Sequence, residues 1–194
     1  MNLLNVGSGG KNTQIPPWYA GWDVVRLDVD PKVAPDILMD ARKVGSLPGR
    51  YDAIYCSHNL EHYSPSDGIK VVKGMLKVLD TNGFADIRVP DVGEVMEQYG
   101  QCGWDLDTIL YQSPAGPICV RDMLYGFERQ IECAEHPEFM MHKNAFSGRT
   151  LELLLKWCGF YPVYTTSSGY DLRCVGFKAE PSDEMLASIG LVRE

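Results

Sequence analysis

Residues 2–10 read NLLNVGSGG. Leu3, Leu4 and Val6 form an apolar run of strand length, which stops at Gly7, Ser8, Gly9 and Gly10. Glycine reaches positive φ without steric cost and has no side chain to keep a ligand at a distance. The stretch therefore predicts a buried strand over 2–6 and a tight, ligand-facing turn over 7–10. It leaves open which ligand.

Further strands follow. DVVRLDVD (23–30) is β-branched, half-alternating and stopped by Pro31; PDILMDA (35–41), YDAIYCS (51–57) and FADIRVP (84–90) read as the third, fourth and fifth strands. PSDGIKVVKGMLKVLDTNG (65–83) has Ile69, Val72, Met75, Leu76 and Leu79 at helical spacing, with Asn82-Gly83 as the expected helix stop. KNTQIPPWYAGW (11–22) carries Pro16-Pro17. Proline inside a helix costs about 3 kcal/mol, so a helix here is short or displaced. Strands alternating with crossovers imply an α/β fold with a mostly parallel sheet.

Residues 91–146 break this rhythm. They are rich in aromatics and methionine and hold Pro114, Pro117 and Pro137; short helices are expected at 93–100 and 117–127. SGRTLELLLKWCGF (147–160) is an amphipathic helix with Ser147 as N-cap and Gly159 as its end. YPVYTTS and DLRCVGFKAE then read as a closing hairpin, and 181–194 as a short surface helix or a loose end.

A chain of 194 residues suits one domain. Its formal net charge of -8 argues against a broad nucleic-acid footprint. The six cysteines include no CxxC pair, which fits a reducing, cytoplasmic compartment. The early apolar run is interrupted by Gly7 and has no charged flank, so no signal peptide is expected, and no stretch approaches the ~18 apolar residues of a membrane span.

In parallel sheets, ligands sit outside the carboxyl ends of the strands, where strand order reverses. Those ends offer Gly7, Ser8 and Gly9; then Asp28; then Asp40 and Ala41; then Cys56, Ser57 and His58; then Pro90 and Asp91. Asp28 follows Gly7 by 21 residues, the spacing of an acid that accepts from two ribose hydroxyls. A two-residue slip would give that role to Asp30. Asp40 is placed to accept from an adenine amino group. The dinucleotide fingerprint GxGxxG would need glycine at position 12, where Asn12 stands, and a helix that Pro16-Pro17 disfavours. A ligand with ribose and adenine but no diphosphate fits better.

LLNVGSGG, VVRLDVDP, DILMDARKVGSLPGRYDAIYCSHNLEHY and MLKVLDTNGFADIRVPD, in this order, resemble the class I S-adenosylmethionine-dependent methyltransferases, most closely the methyltransferase type 11 group with its LEH after the fourth strand. The resemblance covers residues 2 to about 91 and resumes at HKNAFSGRTLELLLKWCGF. It implies a doubly wound, seven-stranded, Rossmann-like sheet, mostly parallel with an antiparallel last strand, in one domain over 1–194 with a helical cap insertion at about 91–146. It implies S-adenosyl-L-methionine as cofactor, held by Val6, Gly7, Ser8, Gly9, Asp28, Val29, Asp40, Ala41, Ser57 and His58. Lys11 replaces the family's usual third glycine, a departure for which a compensating cation beside the methionine carboxylate is one account.

The implied reaction is methyl transfer to a small-molecule or sugar-like acceptor, on oxygen. His62 is the candidate base and His58 the second, with Glu61 orienting the imidazole or, as in some related enzymes, binding a metal. A histidine at a helix start also serves as a cap or surface group. Cys133, His136 and His142 match no strong zinc pattern, so no metal site is assigned. Trp18, Tyr19 and Trp22 either line the cleft or pack over the sheet, and Tyr111, Met123, Tyr125, Phe127, Met140 and Met141 either line an acceptor pocket or form the core of the insertion. No nucleic-acid or membrane partner is expected, and the oligomeric state is open. The rival readings are an NAD-dependent oxidoreductase or epimerase and a non-catalytic cofactor-binding scaffold.

Overall fold

The opening apolar run is the first strand of the sheet, β1 (Asn2–Val6), and its four apolar-flanked inner residues are buried. The structure is a computed structural model and describes residues 1–193. β2 (Asp23–Asp28), β3 (Ile37–Leu38), β4 (Tyr51–Ser57) and β5 (Leu79–Pro90) follow. β6 (Ile109–Ser113) and β7 (Gly116–Cys119) form a separate hairpin, and β8 (Val163–Ser168) and β9 (Asp171–Phe177) complete the main sheet. Its order is β3-β2-β1-β4-β5-β9-β8. The first five strands pair in parallel; β9 runs antiparallel to both β5 and β8. This is the doubly wound, seven-stranded sheet with an antiparallel last strand that the resemblance implies.

Successive side chains of a strand face opposite sides, and the core divides accordingly. Leu4, Ile54, Cys56, Ala85 and Cys174 join one apolar cluster; Leu3, Ala53, Tyr55, Phe84 and Val175 join the other. The first is covered by α1 (Pro65–Val78), through Val71, Val72 and Met75, and by a later helix, Gly148–Cys158, through Leu151 and Leu155. Both helices start at serine caps: Ser64 accepts from Asp67 N–H and Ser147 from Thr150 N–H. The second face is closed by the short 3-10 turn Pro17–Tyr19 and by the C-terminal helix Asp183–Ser188 with Ile189 and Leu191 behind it.

That second face decides the reading of Trp18, Tyr19 and Trp22: they pack. Tyr19 is 1% exposed and donates its hydroxyl to Asp86 Oδ2 at 3.0 Å. Arg173 grips the same carboxylate through Nε and Nη2 at 2.9 and 3.0 Å, and Trp18 lies over the guanidinium at 4.5 Å. Burial, then the Asp86 charge, raise the Tyr19 pKa well above its ordinary value.

Three boundaries differ from the sequence reading. α1 stops at Val78, not at Asn82-Gly83, because buried Leu79 pairs with Tyr51 and the chain passes straight into β5. Gly83 serves that strand: a Cβ there would meet the Tyr51 and Asp52 carbonyls at 3.1 Å. Strand 35–41 shrinks to the two residues that find partners on β2. Between them, residues 91–146 hold α2 (Val92–Cys102), the β6–β7 hairpin, α3 (Val120–Tyr125), α4 (Glu128–Cys133) and α5 (Pro137–Met140). The expected helix 117–127 thus loses its first turn to β7, which pairs with β6 across a Pro-Ala turn. The helices of 148–158 and 183–188 become α6 and α7 in chain order. Among the described residues, no helix is long and apolar enough to cross a membrane.

Candidate functional site

Strand order reverses between β1 and β4, and the glycine turn sits at that point. Gly7 and Gly9 have φ of +67° and +59°. The Gly7 and Ser8 N–H groups donate to the Leu27 carbonyl at 2.9 and 3.2 Å, which folds the turn back over the end of β2. A Cβ on Gly7 would come within 2.4 Å of the Asn59 side chain, so the turn and the segment after β4 are in contact only because residue 7 lacks one.

Asp28 closes this turn. Its Oδ2 accepts from Gly9 N–H at 2.9 Å and its Oδ1 from Asp30 N–H at 3.0 Å. Asp30, the slipped alternative, instead caps the Pro31–Val33 turn by accepting from Lys32 N–H at 2.8 Å. Asp40 caps the 3-10 turn Ala41–Ser46, accepting from Arg42 N–H at 2.9 Å, and is paired with the Arg42 guanidinium, which holds its carboxyl below the ordinary value. Ala41 is buried, and Lys11 is exposed beyond the turn.

Two cavities open at this end of the sheet. One, of about 330 Å³, is lined by Val29, Asp40, Asn59, His62, Tyr63 and Phe139 among others. The second, of about 340 Å³, is lined by His58, Glu61, His62, His142, Tyr170 and residues of 91–146. Of the sequence-selected residues, Val29 and Asp40 reach the first cavity, His58 and Glu61 the second, and His62 both; Val6, Gly7, Ser8, Gly9, Asp28, Ala41 and Ser57 line neither.

The second cavity brings three histidines together with Glu61. His58, the residue after β4, has φ +48°, a left-handed conformation unusual for a non-glycine residue, and donates its N–H to the Arg88 carbonyl at 2.9 Å. Its ring lies between two carboxylates, Nδ1 3.5 Å from Glu61 Oε1 and Nε2 3.3 Å from Asp171 Oδ1. Burial opposes protonation, but Asp171 and Glu61 outweigh it and lift the pKa to about 10. Asp171 also pairs with Arg88 at 3.0 Å. Glu61 is 2% exposed, and neither carboxylate oxygen has a hydrogen-bond partner.

His62 and His142 lie edge to face, with ring centroids 5.0 Å apart. His62 Nδ1 is 3.2 Å from the Met141 carbonyl and His142 Nδ1 3.0 Å from the Met123 carbonyl. A carbonyl only accepts, so each Nδ1 carries a proton, and the neutral form of each ring has its lone pair on Nε2. Burial lowers the His142 pKa. The two segments are laced together by the Lys143 and Asn144 N–H groups donating to the Glu61 carbonyl at 2.8 and 3.1 Å.

His142 therefore belongs with Glu61 and His62. It is not grouped with Cys133 and His136: Cys133 is exposed, and His136 faces Glu138 at 3.4 Å. Asp171 was not among the residues selected from the sequence. It pairs with the carboxyl end of β5 through an antiparallel register, Pro90 opposite Asp171, which no local pattern reveals.

Comparison with solved structures places this fold. A SAM-dependent methyltransferase from Archaeoglobus fulgidus superposes with a TM-score of 0.56 at 14% identity, covering 91% of this chain and 86% of that one. The Burkholderia thailandensis 1,6-didemethyltoxoflavin-N1-methyltransferase, with bound 1,6-didemethyltoxoflavin and S-adenosylhomocysteine, gives 0.54 at 16% identity over 92% and 71%. The magnesium protoporphyrin IX methyltransferase of Synechocystis PCC 6803, with bound SAH, gives 0.51 at 14% over 91% and 74%. No family model matches the chain, and no curated protein matches it. The chain has the fold of the class I SAM-dependent methyltransferases.

Proposed function

We propose that the chain is an S-adenosyl-L-methionine-dependent methyltransferase that methylates an oxygen of a small-molecule or sugar-like acceptor. The observation that carries this reading is the glycine turn pinned over β2, with Asp28 and Asp40 at consecutive strand ends beside it. The residues fit such a cofactor. A carboxylate offers about four lone-pair positions, and Asp28 uses two on backbone N–H groups, which leaves capacity for ribose hydroxyls. Asp40, Val29 and Tyr63 line a cavity suited to adenine. The bound cofactor supplies a methyl group on a sulfonium, and the protein's task is alignment, which is worth effective molarities of about 10⁵–10⁸ M in well-oriented systems.

The segment 91–146 acts as a cap in a single domain. It contributes Tyr111, Ile118, Met123 and Phe127 to the second cavity, and Tyr111 stacks on Tyr170 at 6.0 Å. These apolar and aromatic walls support a small organic acceptor there. His62 lines both cavities and has a free Nε2, so it is the side chain placed to receive the acceptor's proton. His58 is unsuited to that role: with a pKa near 10 its imidazole is protonated at neutral pH and has no lone pair to offer. Six unpaired thiols among the described residues support a reducing, cytoplasmic setting.

Calorimetry with S-adenosylhomocysteine and with NAD tests the reading. Micromolar binding of the first and none of the second is expected; the reverse would remove it in favour of an oxidoreductase. Binding without turnover across a broad panel of hydroxyl acceptors would leave a non-catalytic cofactor-binding protein.

A further inference from the structure

We infer that Glu61, His62 and His142 form a divalent-cation site in the wall of the acceptor cavity. One ligand atom from each lies within 4.8 Å of the other two. Two donors about 2.1 Å from a shared ion stand about 3.4 Å apart at a tetrahedral angle, so binding needs the triad to close by no more than about 1.4 Å.

Two independent observations point to a cation. Glu61 is 2% exposed and neither oxygen accepts a hydrogen bond; its neighbouring cation is the His58 ring, whose Nδ1 stands 3.5 Å from Oε1, so this buried carboxylate keeps lone pairs for a further cation. Both imidazoles also donate Nδ1–H to backbone carbonyls, Met141 for His62 and Met123 for His142. That outer arrangement fixes the tautomer and ring direction of a metal-ligating histidine and leaves Nε2 for the ion. The triad's backbone is already braced, since the Glu61 carbonyl takes the Lys143 and Asn144 N–H groups.

Two imidazoles and one carboxylate suit zinc, manganese or ferrous iron better than magnesium or calcium, whose ligands are mostly oxygen. All three residues line the 340 Å³ cavity, so an acceptor entering it could complete the coordination. In that role, which rests on the methyltransferase reading above, the ion binds the acceptor hydroxyl and lowers its pKa. The O–H bond ionises and its proton passes to water. The oxygen's electron pair forms the new bond to the methyl carbon, and the C–S pair stays on sulfur. His62 then acts as a ligand, and the ion replaces it as the means of removing the proton.

The test is calorimetric titration of the chelator-treated, full-length protein with ZnCl₂ and MnCl₂, without cofactor. One ion per chain is expected. Glu61→Gln and His142→Ala should each weaken binding at least about 100-fold, since loss of even an outer partner costs about 10–100-fold, whereas His136→Ala, outside the triad, should leave it unchanged. Should the triad variants fail to fold, Mn²⁺ added to wild-type protein should broaden the imidazole resonances of His62 and His142 and spare that of His136. No uptake by wild type at millimolar metal, or broadening of His136 alone, would overturn the site. Binding of S-adenosylhomocysteine is measured separately, so failure of the methyltransferase reading is distinguished from failure of the metal site.

Discussion

Replacing Asp28 with alanine removes the acceptor of two backbone hydrogen bonds, Gly9 N–H at 2.9 Å and Asp30 N–H at 3.0 Å. Hydrogen bonds to a charged partner contribute about 1.5–3 kcal/mol each, so the turn loses about 3–6 kcal/mol of gross ordering. Asp28 is half-buried, and water will recover part of that by solvating the freed N–H groups. The proposed ribose contacts are lost as well. Even the lowest single-bond figure of about 1.5 kcal/mol corresponds to a factor of about ten in affinity. Calorimetry with S-adenosylhomocysteine should therefore show at least a tenfold weaker dissociation constant, with the melting temperature falling less than it does for a core variant. Asp28→Asn keeps one acceptor and should fall between. An Asp28→Ala protein that binds S-adenosylhomocysteine as tightly as wild type would show that the acid neither shapes the turn for the ligand nor touches the ribose.

Gly7→Ala places a Cβ at φ +67° and 2.4 Å from Asn59; the left-handed conformation alone costs about 1–2 kcal/mol, and thermal denaturation should show a fall of several degrees together with loss of cofactor binding. Arg173→Ala strands the fully buried Asp86, and breaking a buried pair costs about 3–5 kcal/mol, so a melting point within 2 °C of wild type would contradict the account of that face. Arg42 holds the Asp40 carboxyl below its ordinary value, so this pair's stabilisation is complete above that ordinary value and is lost as pH falls through the folded one; Arg42→Ala should move the acid limb of the stability curve to higher pH, seen by circular dichroism between about pH 2 and 5. With an accepted hydroxyl substrate, His62→Ala should lower kcat: by about 10²–10⁴-fold if the imidazole itself takes the proton, and through loss of the bound ion if it acts as a ligand; an unchanged kcat would dismiss both roles.

The sheet was legible because its signals are local. β1 and β4 are short, mainly apolar runs ended by small or polar residues, as strands buried on both faces tend to be. The ends of α1 and β3 were not, because each is set by a partner strand: Leu79 belongs to the pair with Tyr51, and only Ile37 and Leu38 reach β2. The first connection shows the same limit. Pro16-Pro17 announces that no ordinary helix follows β1, yet nothing near Tyr19 says that its hydroxyl meets Asp86, 67 residues on.

The candidate site divides in the same way. Gly7, Asp28 and Asp40 could be picked out because each stands at the end of a recognisable strand. His142 and Asp171 could not be joined to the Glu61-His62 pair by spacing. They arrive through the fold, His142 on the segment laced to the Glu61 carbonyl and Asp171 through the antiparallel register of β9 with β5. In the sequence His142 has Cys133 and His136 as its nearest candidate ligands, a spacing that matches no strong zinc pattern, and the structure leaves those two on the surface.

A crystal structure of the protein soaked with S-adenosylhomocysteine tests the central claim most directly. The account predicts adenosine beside Asp40 and Tyr63, ribose hydroxyls on Asp28, and sulfur directed towards the His58–His62 segment. Density for the ligand elsewhere, or a dinucleotide diphosphate lying over Gly9 in protein purified without added ligand, would contradict it.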